Sequence, residues 1–472
     1  MLNNQKKSRT KSSKDTASVI GHEIAKDFNS TQQAISDSVK YSVTGTKNLS
    51  KQARQELHDL GPGLITGAAD DDPSGIGTYA QTGAQFGTGL LWLMPFMLPL
   101  MTAVQEAVGR IGIVTRKGLA SNIKEHYSRT WLYVLVTCLL FANVINIGAD
   151  IGAMSDATRL LVNIPFAALN IMYAFVIVIL QILIPYRRYA QVLKFLVLSL
   201  AAYFISALIA GHDWGHILAS AFMPHWESTP AYALMIAALF GTTISPYLFF
   251  WEPSQEVEEA KEHHQKALLH ADPAKAKIIL KLFRRDNFTG MLLSQLTAMM
   301  VVVTAYSTLH ASGVHQVNDA ATAAKLLEPL VNNSILSGAA VKAIFAIGII
   351  GTGLLAIPTL AGSAAYAVSE ALNMKEGLNK RFNQAKGFYI IIAAMCVGGL
   401  LFNLLNIPSF KALFYAAVIN AAMAIPLLLA IIKIGRDKRV MGAYSSGKLV
   451  TTLCAVTALF MTVTLILSVV LN

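Results

Sequence analysis

Apolar positions gather into eleven long stretches, near 60–82, 88–112, 131–155, 163–185, 190–210, 232–252, 288–310, 341–369, 387–407, 411–432 and 449–470. A helix needs about 20 residues to cross a bilayer core, so each stretch predicts one transmembrane span. Residues 1–56 are different: rich in Lys, Ser, Gln and Asn, without sustained periodicity, they predict a mobile polar tail. The pattern predicts an all-α polytopic membrane protein with a core over 57–435. A loop and a peripheral eleventh helix follow over 436–472.

Two of the eleven stretches are interrupted. In the first, Asp70, Asp71 and Asp72 precede Pro73-Ser74-Gly75. One aspartate at the centre of a membrane helix costs about 2.5–3.5 kcal/mol, so three in a row do not face lipid. Proline removes a backbone donor and glycine allows unusual dihedrals, so the helix should break there. Capping of a helix at the membrane surface is the alternative for the aspartates. In the sixth stretch, Pro246 follows Gly241-Thr242-Thr243-Ile244-Ser245 and frees carbonyls near Thr242 and Thr243, beside hydroxyl groups.

The breaks lie five spans apart, an odd number of crossings, so spans 1–5 and 6–10 form two inverted halves. Interruptions at corresponding positions of two halves mark the midplane site of a secondary transporter. Carboxylates, hydroxyls and freed carbonyls offer hard oxygen donors, which suit a cation such as Mg²⁺.

Composition supports a membrane protein: 54% of the 472 residues are hydrophobic, 14% are charged, and mean hydropathy is +0.50. The net charge of +11 could suggest nucleic acid, but its distribution excludes that partner. Of 38 Lys and Arg residues, all but Arg159, Lys325, Lys342 and Lys411 fall on one side of the predicted topology. By the positive-inside rule the N-terminus is cytoplasmic and the C-terminus external, in a plasma (inner) membrane. No short apolar core with a cleavage site opens the chain, so no signal peptide is expected. Cys138, Cys396 and Cys454 lie in apolar stretches at no ligand spacing and imply no disulfide framework.

Other polar groups stand inside the spans. Asn143, Asn146 and Asp150 share one helix face at i, i+3 and i+7 and should look into the bundle. The asparagines suit interhelical hydrogen bonds as well as a site, whereas Asp150 is a site candidate because it ionises. Asn420 stands alone in the tenth stretch, and Glu252 closes the sixth.

These residues resemble the NRAMP family of divalent-metal transporters over roughly 58–435. The Gly61-Pro62 opening, the Asp72-Pro73 break, Thr82-Gly83-Ala84-Gln85-Phe86-Gly87 and the stretch from Arg110 to Thr115 carry the likeness. The resemblance implies a LeuT-like fold with an inverted five-helix repeat and metal held between broken helices 1 and 6. The chain also departs from the family. Asp-Pro-Gly-Asn becomes Asp72-Pro73-Ser74-Gly75, so Gly75 replaces the asparagine ligand. Met-Pro-His becomes Ser245-Pro246-Tyr247, and a glutamate of the third helix becomes Ala153. Asp150 keeps the family's third-helix aspartate. This set of changes is similar to the NRAMP-related magnesium transporter branch.

Soft ligands select transition metals, whereas Mg²⁺ prefers one or two carboxylates and keeps several waters. Asp72, Ser245, Thr242, Thr243 and the backbone around Gly75 are therefore the expected metal site. Asp70 and Asp71 are expected in the outer vestibule, and Tyr247, Glu252 and Asn420 along the path. The expected substrate is Mg²⁺, with Mn²⁺ also passing, by alternating access without tight proton coupling. Asp150 leaves a proton-coupled Mn²⁺/Fe²⁺ symporter as the alternative. An organic-anion carrier is disfavoured by three clustered carboxylates, and an intramembrane hydrolase by the lack of His-Glu-x-x-His. No enzyme activity and no resident cofactor are expected. The partners are the divalent cation and the bilayer, and the protein is expected to be a monomer.

Overall fold

The computed structural model describes residues 66, 67, 69–184, 200–211, 213–262, 273–405 and 407–471. The tail expected over 1–56, and the start of the first span, lie outside them. Helices dominate: α1 (Pro73–Phe86), α2 (Leu93–Thr115), α3 (Leu119–His126), α4 (Arg129–Arg159), α5 (Phe166–Leu183) and α6 (Ala201–Ile209) come first. Then follow α7 (Pro230–Thr243), α8 (Pro246–Glu262), α9 (Pro273–Thr308), α10 (Gly338–Leu372), α11 (Lys386–Phe402), α12 (Ser409–Arg436) and α13 (Lys448–Val470). A nine-residue helix (Trp214–Phe222) and shorter helical turns fill the connections.

Among the described residues, nine helices are long and apolar enough to cross a membrane, α7 and α8 counting as one interrupted span. With α1, half of the first predicted span, and α6, the end of the fifth, they match the eleven stretches read from the sequence. Exposed Phe141, Phe175, Leu183, Leu404 and Leu429 lie on outward faces, where a bilayer rather than water would meet them.

Both expected breaks are present. Asp72 is the N-cap of α1: its backbone is extended (φ −70°, ψ 173°) and its Oδ1 accepts the Gly75 N–H at 2.6 Å. Pro73 follows at the first helical position, where its missing N–H costs nothing. At the other break, α7 ends at Ile244 (φ −119°, ψ 62°) and α8 restarts at Pro246. Pro358 and Pro426 stand inside α10 and α12 without breaking them. Proline alone therefore does not explain the gap. Ser245 adds to it by turning its hydroxyl back onto the Gly241 and Thr242 carbonyls, both at 2.8 Å, and so caps the end of α7.

Small residues let the broken helices pack backbone to backbone. α1 lies along α9, α7 and α12, and α4 lies along α10, α11 and α12. A methyl group on Gly241 would stand 1.8 Å from the Ala417 carbonyl oxygen, and one on Gly83 would stand 2.3 Å from that of Val302. No side chain fits at either place, as in the small-residue interfaces of membrane helices. α13 packs on α2, α7 and α12 and leaves Leu449, Leu459, Ile466 and Val469 exposed on its other face.

Between the sixth and seventh predicted spans, α8 runs on to Glu262 and α9 begins at Pro273. On α9, Ala276, Leu280 and Phe283 are buried, so this polar-looking segment has an apolar stripe at helical spacing.

Candidate ion site at the two helix breaks

The two breaks are joined to each other. Tyr247, at the start of α8, donates its hydroxyl to the Ala69 carbonyl just before α1, at 3.1 Å. Tyr79 of α1 meets the Thr243 hydroxyl at the end of α7, at 3.2 Å. Further along, Thr66 donates its hydroxyl to the Glu252 carboxylate of α8. Each half of the first span is thus held to a half of the sixth.

Around this junction Asp72, Thr242, Ser245 and Tyr247 are all 3% exposed or less. Gly75 is buried too, and its N–H serves the Asp72 cap. Thr242 Oγ1 has no hydrogen-bond partner. Thr243 is engaged by Tyr79, and the Ser245 hydrogen by its own helix. Asp150 of α4 is fully buried, lies within electrostatic reach of Asp72, and faces the Ser74 backbone N–H at the start of α1. Oxygen atoms converge here: two carboxylates, hydroxyls, and the carbonyls left by two helix ends.

Several expected positions need correction. Asp70 and Asp71 do not line an open vestibule: they are 0% and 3% exposed. Each has an oxygen 3.1 Å from Ser294 Oγ of α9. The hydroxyl has one hydrogen and can serve only one carboxylate at a time. Tyr247 is buried and braces the two breaks. Glu252 is fully buried and bonded to Thr66. Asn420 accepts the Asn146 amide N–H at 2.9 Å. Asn143 donates to the Leu360 carbonyl and to Ser363 on α10, at 2.8 and 2.9 Å. The asparagines of the polar face therefore act between helices, and Asp150 is its one member aimed at the break.

Ser294 was not anticipated, although a signal existed. Asn287, Gly290, Ser294 and Thr297 recur at helical spacing in the seventh apolar stretch, and all are buried. Thr66 and Tyr79 were also missed: single hydroxyls carry no periodicity.

A bundle of apolar helices, with two discontinuous helices meeting at a buried group of oxygen donors, defines a membrane transporter. Residues 63–471 match the family model described as natural resistance-associated macrophage protein-like, and the chain belongs to this NRAMP family. It is similar to the divalent metal cation transporter MntH of Deinococcus radiodurans, with 24% identity over 355 residues, covering 72% of this chain and 76% of that protein. MntH of Pectobacterium carotovorum subsp. carotovorum is 23% identical over 365 residues, covering 75% and 82% respectively. The crystal structure of the Eremococcus coleocola manganese transporter with an aromatic bis-isothiourea compound superposes with a TM-score of 0.68 at 16% identity. That match covers 86% of this chain and 85% of the other, and it shows a shared fold.

Proposed function

We propose that this protein takes up divalent cations, chiefly Mg²⁺ with Mn²⁺ also accepted, by alternating access around the two helix breaks. The relatives' names, divalent metal cation transporter and manganese transporter, support a divalent-cation substrate. The preference for Mg²⁺ rests on one observation: the residue preceding Pro246 is Ser245, so a hydroxyl stands where a thioether would favour softer metals.

The rest of the junction supports this reading. Among the described residues no three His, Cys, Asp or Glu side chains are arranged to hold a metal by themselves. Asp72 would therefore hold the ion with hydroxyl, carbonyl and water oxygens, the mixed and partly hydrated shell that Mg²⁺ favours. No basic side chain is among the groups acting on Asp70, Asp71 or Asp72, so a divalent cation would offset a local excess of negative charge. The two inverted halves would rock about this point, and the Tyr247–Ala69 and Thr66–Glu252 contacts would hold the broken helices together in the closed arrangement.

With the charge bias of the loops, the N-terminus is cytoplasmic and the C-terminus external in a plasma membrane. An inside-negative potential then drives uptake by about 2.3 kcal/mol per charge per 100 mV, without tight proton coupling. The working unit is a monomer. Proteoliposomes with a trapped Mg²⁺ indicator test the proposal. Uptake by the wild type, lost in Asp72→Ala, is the expected result. Mn²⁺ uptake without Mg²⁺ uptake would instead point to a conventional symporter.

A further inference from the structure

We infer that the cation enters through an amide-lined mouth whose charge is set by Lys411, and that this residue limits the apparent affinity for external divalent cations. The inference rests on the proposed substrate and orientation. A cavity of about 280 Å³ opens between the far end of α1 and the start of α12, lined in part by Gln81, Gln85, Gln316, Asn318, Lys411 and Tyr415. Gln81 lies nine residues beyond Asp72, about 13 Å along the helix at 1.5 Å per residue. The cavity thus stands over the helix break on the side where the few outer basic residues fall.

Part of the lining is fixed, with the Gln81 amide donating to Gln85 Oε1 at 3.0 Å. Gln81 is pinned: it donates to the His315 carbonyl at 3.1 Å and accepts the Val317 N–H at 2.7 Å. Below the cavity, Phe410 and Leu413 of α12 press on Gly77, and Ser74 donates to the Leu413 carbonyl at 3.2 Å. These contacts form a floor between the mouth and Asp72. Among the described residues no carboxylate lines the cavity, and Asp319, next to it in sequence, is occupied in capping the Thr322 N–H at 2.7 Å.

Lys411 is exposed and forms no ion pair among the described residues. Its charge therefore acts directly on whatever enters. Amides offer a hydrated cation oxygen contacts without trapping it, while a fixed positive charge lowers the local cation concentration. A unit charge about 10 Å from a divalent ion in water shifts its local concentration by roughly fourfold at low ionic strength, and salt screens the effect.

Two measurements on the full chain in intact cells test this. Gln85→Cys is labelled from outside with membrane-impermeant thiol reagents, one cationic and one neutral, with Lys411 present or changed to Gln or Glu. Labelling of the parent, with its native cysteines, is subtracted. The cationic-to-neutral rate ratio should rise several-fold in Lys411→Gln and further in Lys411→Glu, less so in high salt. Initial uptake rates should show a matching fall in KM at unchanged maximal rate, while Lys342→Gln, an outer lysine outside the cavity, changes neither. Absence of external labelling, or a ratio indifferent to Lys411, overturns the inference. So does an unchanged KM in a protein that transports. If the wild type moves no divalent cation, the proposed substrate fails, while the labelling ratio still decides whether Lys411 sets the charge of the mouth.

Discussion

The Tyr247 hydroxyl stands 3.1 Å from the Ala69 carbonyl oxygen, joining two residues 178 positions apart at the two points where the helices are broken. A broken helix leaves carbonyls without intrahelical donors, and inside a membrane no water satisfies them cheaply. Tyrosine at 247 solves this for one carbonyl of the first break with a side chain from the second. The polar cost of each break is lowered by the other, and this favours the two halves closing together.

Tyr247→Phe keeps the ring and removes that bond. The buried carbonyl then loses its donor, which costs about 1–3 kcal/mol. The expected result is a lower thermal midpoint in detergent, with uptake retained, because the hydroxyl supports the break without being needed to hold the ion. Uptake abolished at unchanged stability would place the hydroxyl in the ion's path instead.

Asp72 has two separable roles. As an N-cap it accepts the Gly75 N–H, and losing a cap costs about 1 kcal/mol. As the proposed ion ligand it would supply a negative charge. Asp72→Asn keeps the cap and removes the charge, whereas Asp72→Ala removes both. Thermal stability should therefore fall only in the alanine variant, and Mg²⁺ uptake should drop more than tenfold in both. Near-normal uptake in Asp72→Asn would show that the charge at this position is dispensable.

Ser245→Met places a thioether at the end of α7. Competition of Mn²⁺ or Cd²⁺ against Mg²⁺ uptake should then shift by tenfold or more toward the softer ions. The same variant loses the hydroxyl cap on Gly241 and Thr242, so a modest stability loss should accompany the change.

Asn146 and Asn420 should behave as an interhelical pair. Asn420→Ala is expected to lower stability by about 0.6–1.7 kcal/mol, with a similar coupling to Asn146 in a double-mutant cycle. The KM for the cation should stay within twofold, which uptake titration would check. A large KM change with no coupling would return Asn420 to the ion path.

Outside the membrane spans, the loop after α10 carries a titrating group. Burial, and then the neighbouring Glu370 carboxylate, push the Glu376 carboxyl up to about 8. A carboxyl raised in the folded state binds its proton more tightly there than in the unfolded chain. Its contribution to stability is thus present below the ordinary carboxylate range and is lost as pH rises toward about 8. Thermal midpoints should decline across that window, and Glu376→Gln should flatten the decline.

Much of this protein was legible without a structure. Hydropathy alone marked where the apolar spans fall, because a bilayer imposes a minimum apolar length on every crossing. The Asp72-Pro73 and Ser245-Pro246 interruptions were readable because proline and glycine act on local backbone, wherever the rest of the chain lies. The distribution of Lys and Arg supplied an orientation for the same reason: it is a property of loops taken one at a time.

Partnership was decided only by tertiary structure. Asp71 meets Ser294 across 223 residues, Glu252 meets Thr66 across 186, and Asn146 meets Asn420 across 274. Sequence marked each of these groups as too polar for lipid, but polarity says only that a partner is required. Which hydroxyl or amide supplies it depends on how closely helices approach, and that is set by contacts such as Gly241 on Ala417 and Gly83 on Val302. The same packing buried Asp70 and Asp71 and set the cavity lined by Gln81 and Gln85 beside Lys411, a residue with no pattern around it to draw attention.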